Sequence, residues 1–155
     1  MKISSKGYYA VKALLDLAQQ TRGVSIPLSI ISKRQSIPLN YLEQIFGKMR
    51  KAGIVKSIRG PKGGYMLAKN PEEISIKEVI QSLGVSLAPV LCLETGAGKP
   101  KDCTMTDECL SRILWKKLGI TINNLLDSIS ISDLLKEAAS NKKQLKLDHN
   151  YIFDI

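Results

Sequence analysis

Acidic residues are scarce where the chain begins. Residues 1–70 carry only two carboxylates, Asp16 and Glu43, against 13 Lys or Arg, a local net charge of +11. Residues 71–155 hold 10 Lys or Arg and 12 acids, so the overall charge of +9 belongs to the first half. An excess placed this way points to a polyanion partner, with a solvated basic surface as the plainer alternative. Histidine is nearly missing, His149 being the only one. There is no C-x-x-C, no nucleotide loop and no His near a Cys in sequence, which argues against a thiol oxidoreductase or another enzyme. No stretch approaches the length of a membrane-spanning helix, and the opening MKISSKGYYAVK lacks the apolar run of a secretory signal. The expected location is therefore cytoplasmic, with no membrane partner. No internal repeat is evident.

Cysteine is also sparse. Three residues, an odd number, do not make a disulfide framework in a cytosolic chain. Cys92, Cys103 and Cys109 all fall in one segment, which favours metal or redox chemistry.

The organising stretch runs from Asn40 to Tyr65. Asn40 is a candidate N-cap and Glu43 its capping-box partner. Leu42, Ile45, Phe46 and Met49 form an apolar stripe at helical spacing, while Tyr41, Gln44, Lys48 and Lys51 lie off it. Gly53 suits the left-handed position that ends a helix. Val55 to Arg59 reads as a short strand, and Gly60-Pro61-Lys62-Gly63-Gly64 demands a tight turn. A helix with a polar, basic outer face, followed by a hairpin with a basic tip, is what a winged helix needs to hold DNA.

Upstream, Ser4 or Ser5 can cap a first helix with Tyr9, Val11, Leu14, Leu15 and Ala18 at helical spacing. Val24 to Ile26 reads as a short strand. Leu28 to Arg34 reads as a second helix, with Ile30 and Ile31 inward. The pair of helices joined by Ser36-Ile37-Pro38 is a helix-turn-helix arrangement. Downstream, Tyr65 to Ala68 returns the wing, and Ile76, Val79, Ile80 and Leu83 mark a short helix stopped by Gly84. The segment 85–109 loses periodicity and reads as a loop. From Leu110 to about Asp127 a long amphipathic helix is predicted, whose stripe needs cover from a second copy of the chain or from its own first domain. A short helix capped by Ser132 follows, then a polar tail ending Tyr151-Ile152-Phe153-Asp154-Ile155.

The predicted fold is mainly α with a small β-wing. It comprises a winged helix-turn-helix domain over 1–84, a cysteine-bearing loop over 85–109, a dimerisation helix and short following helix over 110–140, and a tail over 141–155.

The runs MKISSKGYYAV, NYLEQIF and RKAGIVKSIRGPKGGY, with the cysteine segment followed by LSRILWKKL, resemble the IscR-like winged-helix transcription regulators. That family holds IscR, NsrR, RirA and CymR, and the resemblance extends to about residue 135. It implies a homodimeric regulator of double-stranded promoter DNA, with a recognition helix in the major groove and a wing reaching the minor groove. Carried onto this chain, Asn40, Tyr41, Glu43 and Gln44 face bases or phosphates and Arg59 inserts with the wing. Gln can read adenine, Glu can accept from cytosine, and Arg suits a narrow minor groove. Lys48, Lys51, Lys56 and Lys62 supply phosphate contacts, with Gly60, Pro61 and Gly63 shaping the wing tip. Tyr41 packing on the first helix, and Glu43 acting as a cap alone, remain open alternatives.

The resemblance also implies that Cys92, Cys103 and Cys109 hold an iron–sulfur cluster, 2Fe–2S in preference to 4Fe–4S. Five residues separate Cys103 from Cys109, as the family pattern has it, but the gap from Cys92 to Cys103 is longer than usual. The family's histidine ligand is replaced by Arg112, and Tyr8 stands where some members carry an acidic ligand. The fourth ligand stays open among Asp102, Asp107, Glu108, Glu94, Tyr8, His149, an external thiol and the partner subunit. A zinc site and a set of redox thiols are the competing readings. The implied function is a repressor that senses cluster status and controls iron–sulfur assembly or cysteine-metabolism genes. A CymR-like alternative acts through cysteine synthase, with Phe153, Asp154 and Ile155 as the docking residues.

Overall fold

The computed structural model describes residues 4–20, 23–94 and 109–140. The first helix, Ser5–Gln20 (α1), starts where Ser4 Oγ accepts from Gly7 N at 3.2 Å. Its fully buried side is Ala10, Ala13, Leu14 and Leu17; Tyr9, Val11, Leu15 and Ala18 pack around that line. The buried line is thus centred on smaller residues than the predicted stripe.

Helix α2 (Leu28–Gln35) buries Leu28 and Ile31. Ile30, expected inward, is 43% exposed, because Leu28 and Ile31 are three apart and Ile30 falls off their shared face. Ser36 adopts a left-handed conformation at φ 54° and turns the chain into α3 (Leu39–Lys51). The predicted cap at Asn40 is not found. Pro38, extended at ψ 134°, precedes the helix, and its carbonyl accepts from Tyr41 N and Leu42 N, both at 3.1 Å. Asn40 and Glu43 therefore stand inside the helix, and no capping box forms between them. The predicted stripe of Leu42, Ile45, Phe46 and Met49 is buried throughout. Gly53, at φ 72°, follows the last turn of α3 as expected.

The wing pairs β1 (Val55–Ile58) with β2 (Gly64–Leu67), antiparallel, with Val55 opposite Leu67 and Ile58 opposite Gly64. The expected strand at Val24–Ile26 reduces to one bridge, in which Ile26 and Tyr65 exchange two backbone hydrogen bonds of 2.8 Å. A 3-10 turn, Pro71–Glu73, is closed by a capping box between Asn70 and Glu73. Helix α4 (Ile76–Ser82) is capped by Ser75, whose Oγ accepts from Glu78 N at 3.1 Å, and Gly84 at φ 70° stops it.

Helix α5 (Leu110–Ser128) has no buried residue. The chain then returns to the body. Ile76 N donates to Ile129 O at 2.9 Å and Ile131 N to Ile74 O at 3.0 Å, and Ile131 is fully buried in the same core as α1. Helix α6 (Ile131–Ser140) is capped by Ser130 rather than Ser132: Asp133 N donates to Ser130 Oγ, and Asp133 Oδ2 accepts from Ser130 N and Oγ. Ser132 is buried instead. One acid of the basic half has a structural task. Asp16 on α1 is buried and accepts from Arg34 Nη2 at 2.7 Å and Gln35 Nε2 at 3.0 Å, tying α1 to the end of α2.

The architecture is mainly helical, a winged helix-turn-helix with a two-stranded wing. Among the described residues, no helix is long and apolar enough to cross a membrane.

Candidate functional site: recognition helix, wing and cysteine segment

Burying Leu42, Ile45, Phe46 and Met49 turns the rest of α3 outward. Asn40, Glu43, Gln44 and Lys51 are exposed. Tyr41 is half-buried, edge-on to Tyr9 of α1 at a centroid distance of 5.7 Å, so the packing alternative has a physical partner. Lys48 is exposed, but its Nζ donates to Leu83 O at 2.7 Å, at the end of α4.

On the wing, Lys56, Arg59, Gly60, Pro61 and Lys62 are exposed and Gly63 is half-buried. Gly60, at φ 113°, sets the turn, and Gly63 N donates back to its carbonyl at 2.8 Å. Among the described residues no ion pair engages Lys51, Lys56, Arg59 or Lys62. Four cationic groups on one helix end and one hairpin thus remain available for phosphate.

Two residues that the sequence does not assign to the site fix the wing. Ser25 Oγ donates to Lys62 O at 2.7 Å, holding the tip against the α1–α2 connection. Gly64 has no room for a side chain: a Cβ there would lie 2.4 Å from Ile26 C and 2.7 Å from Pro27 N. The Ser25 contact spans 37 residues and leaves no mark in local sequence. The glycine pair before Tyr65 was the available signal for close backbone approach. Arg50, also unassigned, places Nη1 3.4 Å from Ser57 Oγ.

The cysteines flank one stretch. Cys92 lies in a 3-10 turn, Leu91–Leu93, and Cys109 immediately precedes α5; both thiols are partly exposed. Cys103 lies outside the described residues, as do Asp102, Asp107, Glu108, His149, Phe153, Asp154 and Ile155. The segment carrying Cys92 is held along α5 at Gly119, where an added Cβ would lie 3.2 Å from Pro89 Cδ. The Cys109 Sγ is 3.1 Å from Ser111 Oγ. That hydroxyl first, then the backbone at Arg112, holds the thiol below its ordinary value against a smaller opposing effect of burial. A helix start favours thiolate for the same electrostatic reason. A partly exposed, thiolate-prone sulfur is the kind of donor that a soft metal centre takes. Among the described residues, no group of three His, Cys, Asp or Glu converges on one point.

Comparison with known proteins follows the same lines. The Rrf2 family, described as an iron-dependent transcriptional regulator, matches residues 3–137. An HTH-type transcriptional regulator IscR from Aliivibrio salmonicida (strain LFI1238) is 44% identical over 135 residues, 87% of this chain and 77% of that one. The IscR of Escherichia coli O1:K1 / APEC is 40% identical over 135 residues, 87% of this chain and 80% of that one. Among solved structures, T. potens IscR matches with a TM-score of 0.72 at 34% identity, covering 99% of this chain and 97% of that one. CymR (YrzC), the global cysteine regulator of B. subtilis, matches with a TM-score of 0.71 at 31% identity, covering 88% and 98%. With its winged helix-turn-helix, its basic reading surface and a family match across residues 3–137, the chain belongs to the Rrf2 family of transcription regulators.

Proposed function

We propose that this transcription regulator is a homodimeric repressor that senses iron–sulfur cluster status and controls genes for cluster assembly or cysteine metabolism. The observation that carries the reading is the position of Cys109. It immediately precedes α5, an α-helix with no buried residue among the described residues. A ligand of the metal centre and the surface left for a second subunit are then one continuous piece of chain.

In this reading Cys92, Cys103 and Cys109 would hold the cluster, 2Fe–2S in preference to 4Fe–4S; when bound it supplies a centre responsive to iron, sulfide and oxidants. The chain's own residues do the rest. Ser111 and the α5 start keep the Cys109 sulfur ready to ligate. The apolar side chains of α5, among them Ile113, Leu114 and Leu118, meet the same face of a partner and set the separation of two recognition helices. Glu43 and Gln44 address base edges, Arg59 the minor groove, and Lys51, Lys56 and Lys62 the backbone. A change at Cys92 and Cys109 alters the setting of α5, and with it the spacing that the operator must match. No catalytic role is proposed.

The test joins metal and DNA. Anaerobic purification, with an absorption spectrum and an iron and sulfide count, is expected to find a cluster in the wild type and severe loss of it in each single Cys→Ala variant. A colourless protein with stoichiometric zinc would replace the cluster with a zinc site. On a pseudo-palindromic duplex, Gln44→Ala is expected to relax base choice at one position per half-site, by about 1–3 kcal/mol. Arg59→Ala is expected to weaken binding most where the flanking duplex is A·T-rich. Footprints unchanged in both variants would remove the helix-and-wing assignment.

A further inference from the structure

Lys48 stands one helical turn after Gln44, on the same side of α3. The two share a narrow crevice with Tyr41, Ile45, Lys6 and Leu83. A lysine on the exposed side of a recognition helix would ordinarily be assigned to phosphate. Here the ammonium turns the other way, and Nζ donates to Leu83 O at 2.7 Å, 35 residues away in sequence. Leu83 is buried, and it is the residue at which α4 ends. The last carbonyls of a helix lack intrahelical donors and carry its negative pole, so a cation there satisfies both needs. Leu83 itself closes back on Ile80, and Gly84, at φ 70°, directs the chain away toward Cys92.

We propose that Lys48 is a positioning residue for base recognition: it locks the setting of α3 against the end of α4, and so fixes Gln44, rather than contacting DNA phosphate. The proposal rests on the DNA-reading role of α3. It gives α3 a polar tie to the point where the cysteine-bearing segment leaves the body, beside the apolar contacts of Ile45 and Met49 with the core. A phosphate contact acts on every duplex alike, whereas a lock on the reading turn acts on the preferred sequence.

The experiment uses the full chain, a duplex that the wild type selects from a random-sequence pool, and an unrelated duplex, each over a range of salt. Lys48→Met is expected to weaken the selected duplex roughly tenfold, the scale of one charge-assisted hydrogen bond. Affinity for the unrelated duplex, and the slope of log affinity against log salt, are expected to stay at wild-type values. Lys48→Arg, which keeps a cationic donor of similar reach, is expected to retain the selected-duplex affinity. Equal weakening on both duplexes, with the salt slope reduced by about one, would make Lys48 a phosphate contact and overturn the proposal. Unchanged affinity on both would overturn it as well. Lys48→Gln, polar and too short to reach Leu83, must repeat the methionine result, which guards against a fault of folding in one variant. A wild type that selects no sequence would instead remove the DNA reading beneath it.

Discussion

Ser25 and Lys62 meet across 37 residues: the Ser25 hydroxyl donates to the Lys62 carbonyl at 2.7 Å and holds the wing tip against the connection between α1 and α2. The bond is exposed, so its contribution to global stability is small, at or below about 1 kcal/mol. Its effect on DNA binding is expected to be larger, because a wing held in place loses less freedom when it enters a groove. Ser25→Ala should therefore lower DNA affinity several-fold while barely moving the thermal midpoint. Titration of a labelled duplex beside a melting curve checks both halves. A drop in the midpoint with unchanged affinity would mean the contact serves folding instead.

Gly64 makes a stronger demand on the same junction. The backbone of Ile26 and Pro27 occupies the place of its missing side chain, and backbone atoms cannot turn aside. Gly64→Ala should cost about 1–3 kcal/mol and open the Ile26–Tyr65 bridge. Denaturant unfolding measures the loss, and amide exchange at Ile26 and Tyr65 reports the bridge. Wild-type stability would show that β2 and the α1–α2 connection separate freely.

Uncovered apolar side chains along α5 predict an assembly. Leu114 and Leu118 are 59% and 38% exposed, one turn apart. Replacing both by Glu should give a folded monomer, because neither side chain belongs to the core, and should abolish tight operator binding. Sedimentation and circular dichroism distinguish this from unfolding. A variant that stays dimeric would move the interface elsewhere.

The α6 cap predicts a pH dependence. The Ser130 side chain, then its backbone N–H, holds the Asp133 carboxyl below its ordinary value of 3.8. A lowered folded value means the stabilisation is present above 3.8 and fades as the pH falls through the folded value. Asp133→Asn should melt earlier than wild type at neutral pH, and the difference should shrink steadily in strong acid. A gap that stays constant into strong acid would show that the charge of Asp133 contributes nothing.

How legible all this was depended on distance along the chain. The stripe of α3, the glycine stop at Gly53, the wing turn and the extent of α5 are local patterns, and each was readable. The start of α3 is hidden locally because Asn40 looks like a cap, while Pro38 already fixes the entry two residues earlier. The cap of α6 falls at Ser130 and not at the expected Ser132, because its partner Asp133 stands three residues beyond Ser130, an offset that marks the cap only once the helix start is known. Contacts that join distant segments, such as Lys48 with Leu83, Ser25 with Lys62 and Asp16 with Arg34, had no local signature at all. The buried return of Ile131 was hidden for the same reason.

That return governs how α5 can move. The Lys77–Asp127 ion pair at 3.1 Å and the Ser75–Ser130 bridge clamp the helix at its C-terminal end. Its other end, at Cys109, lies roughly 28 Å away at 1.5 Å per residue. A rod fixed at one end sweeps its widest arc at the other. For a given tilt about Asp127 the Cys109 end travels farthest, so the thiol is the point of the helix at which such a tilt would register most.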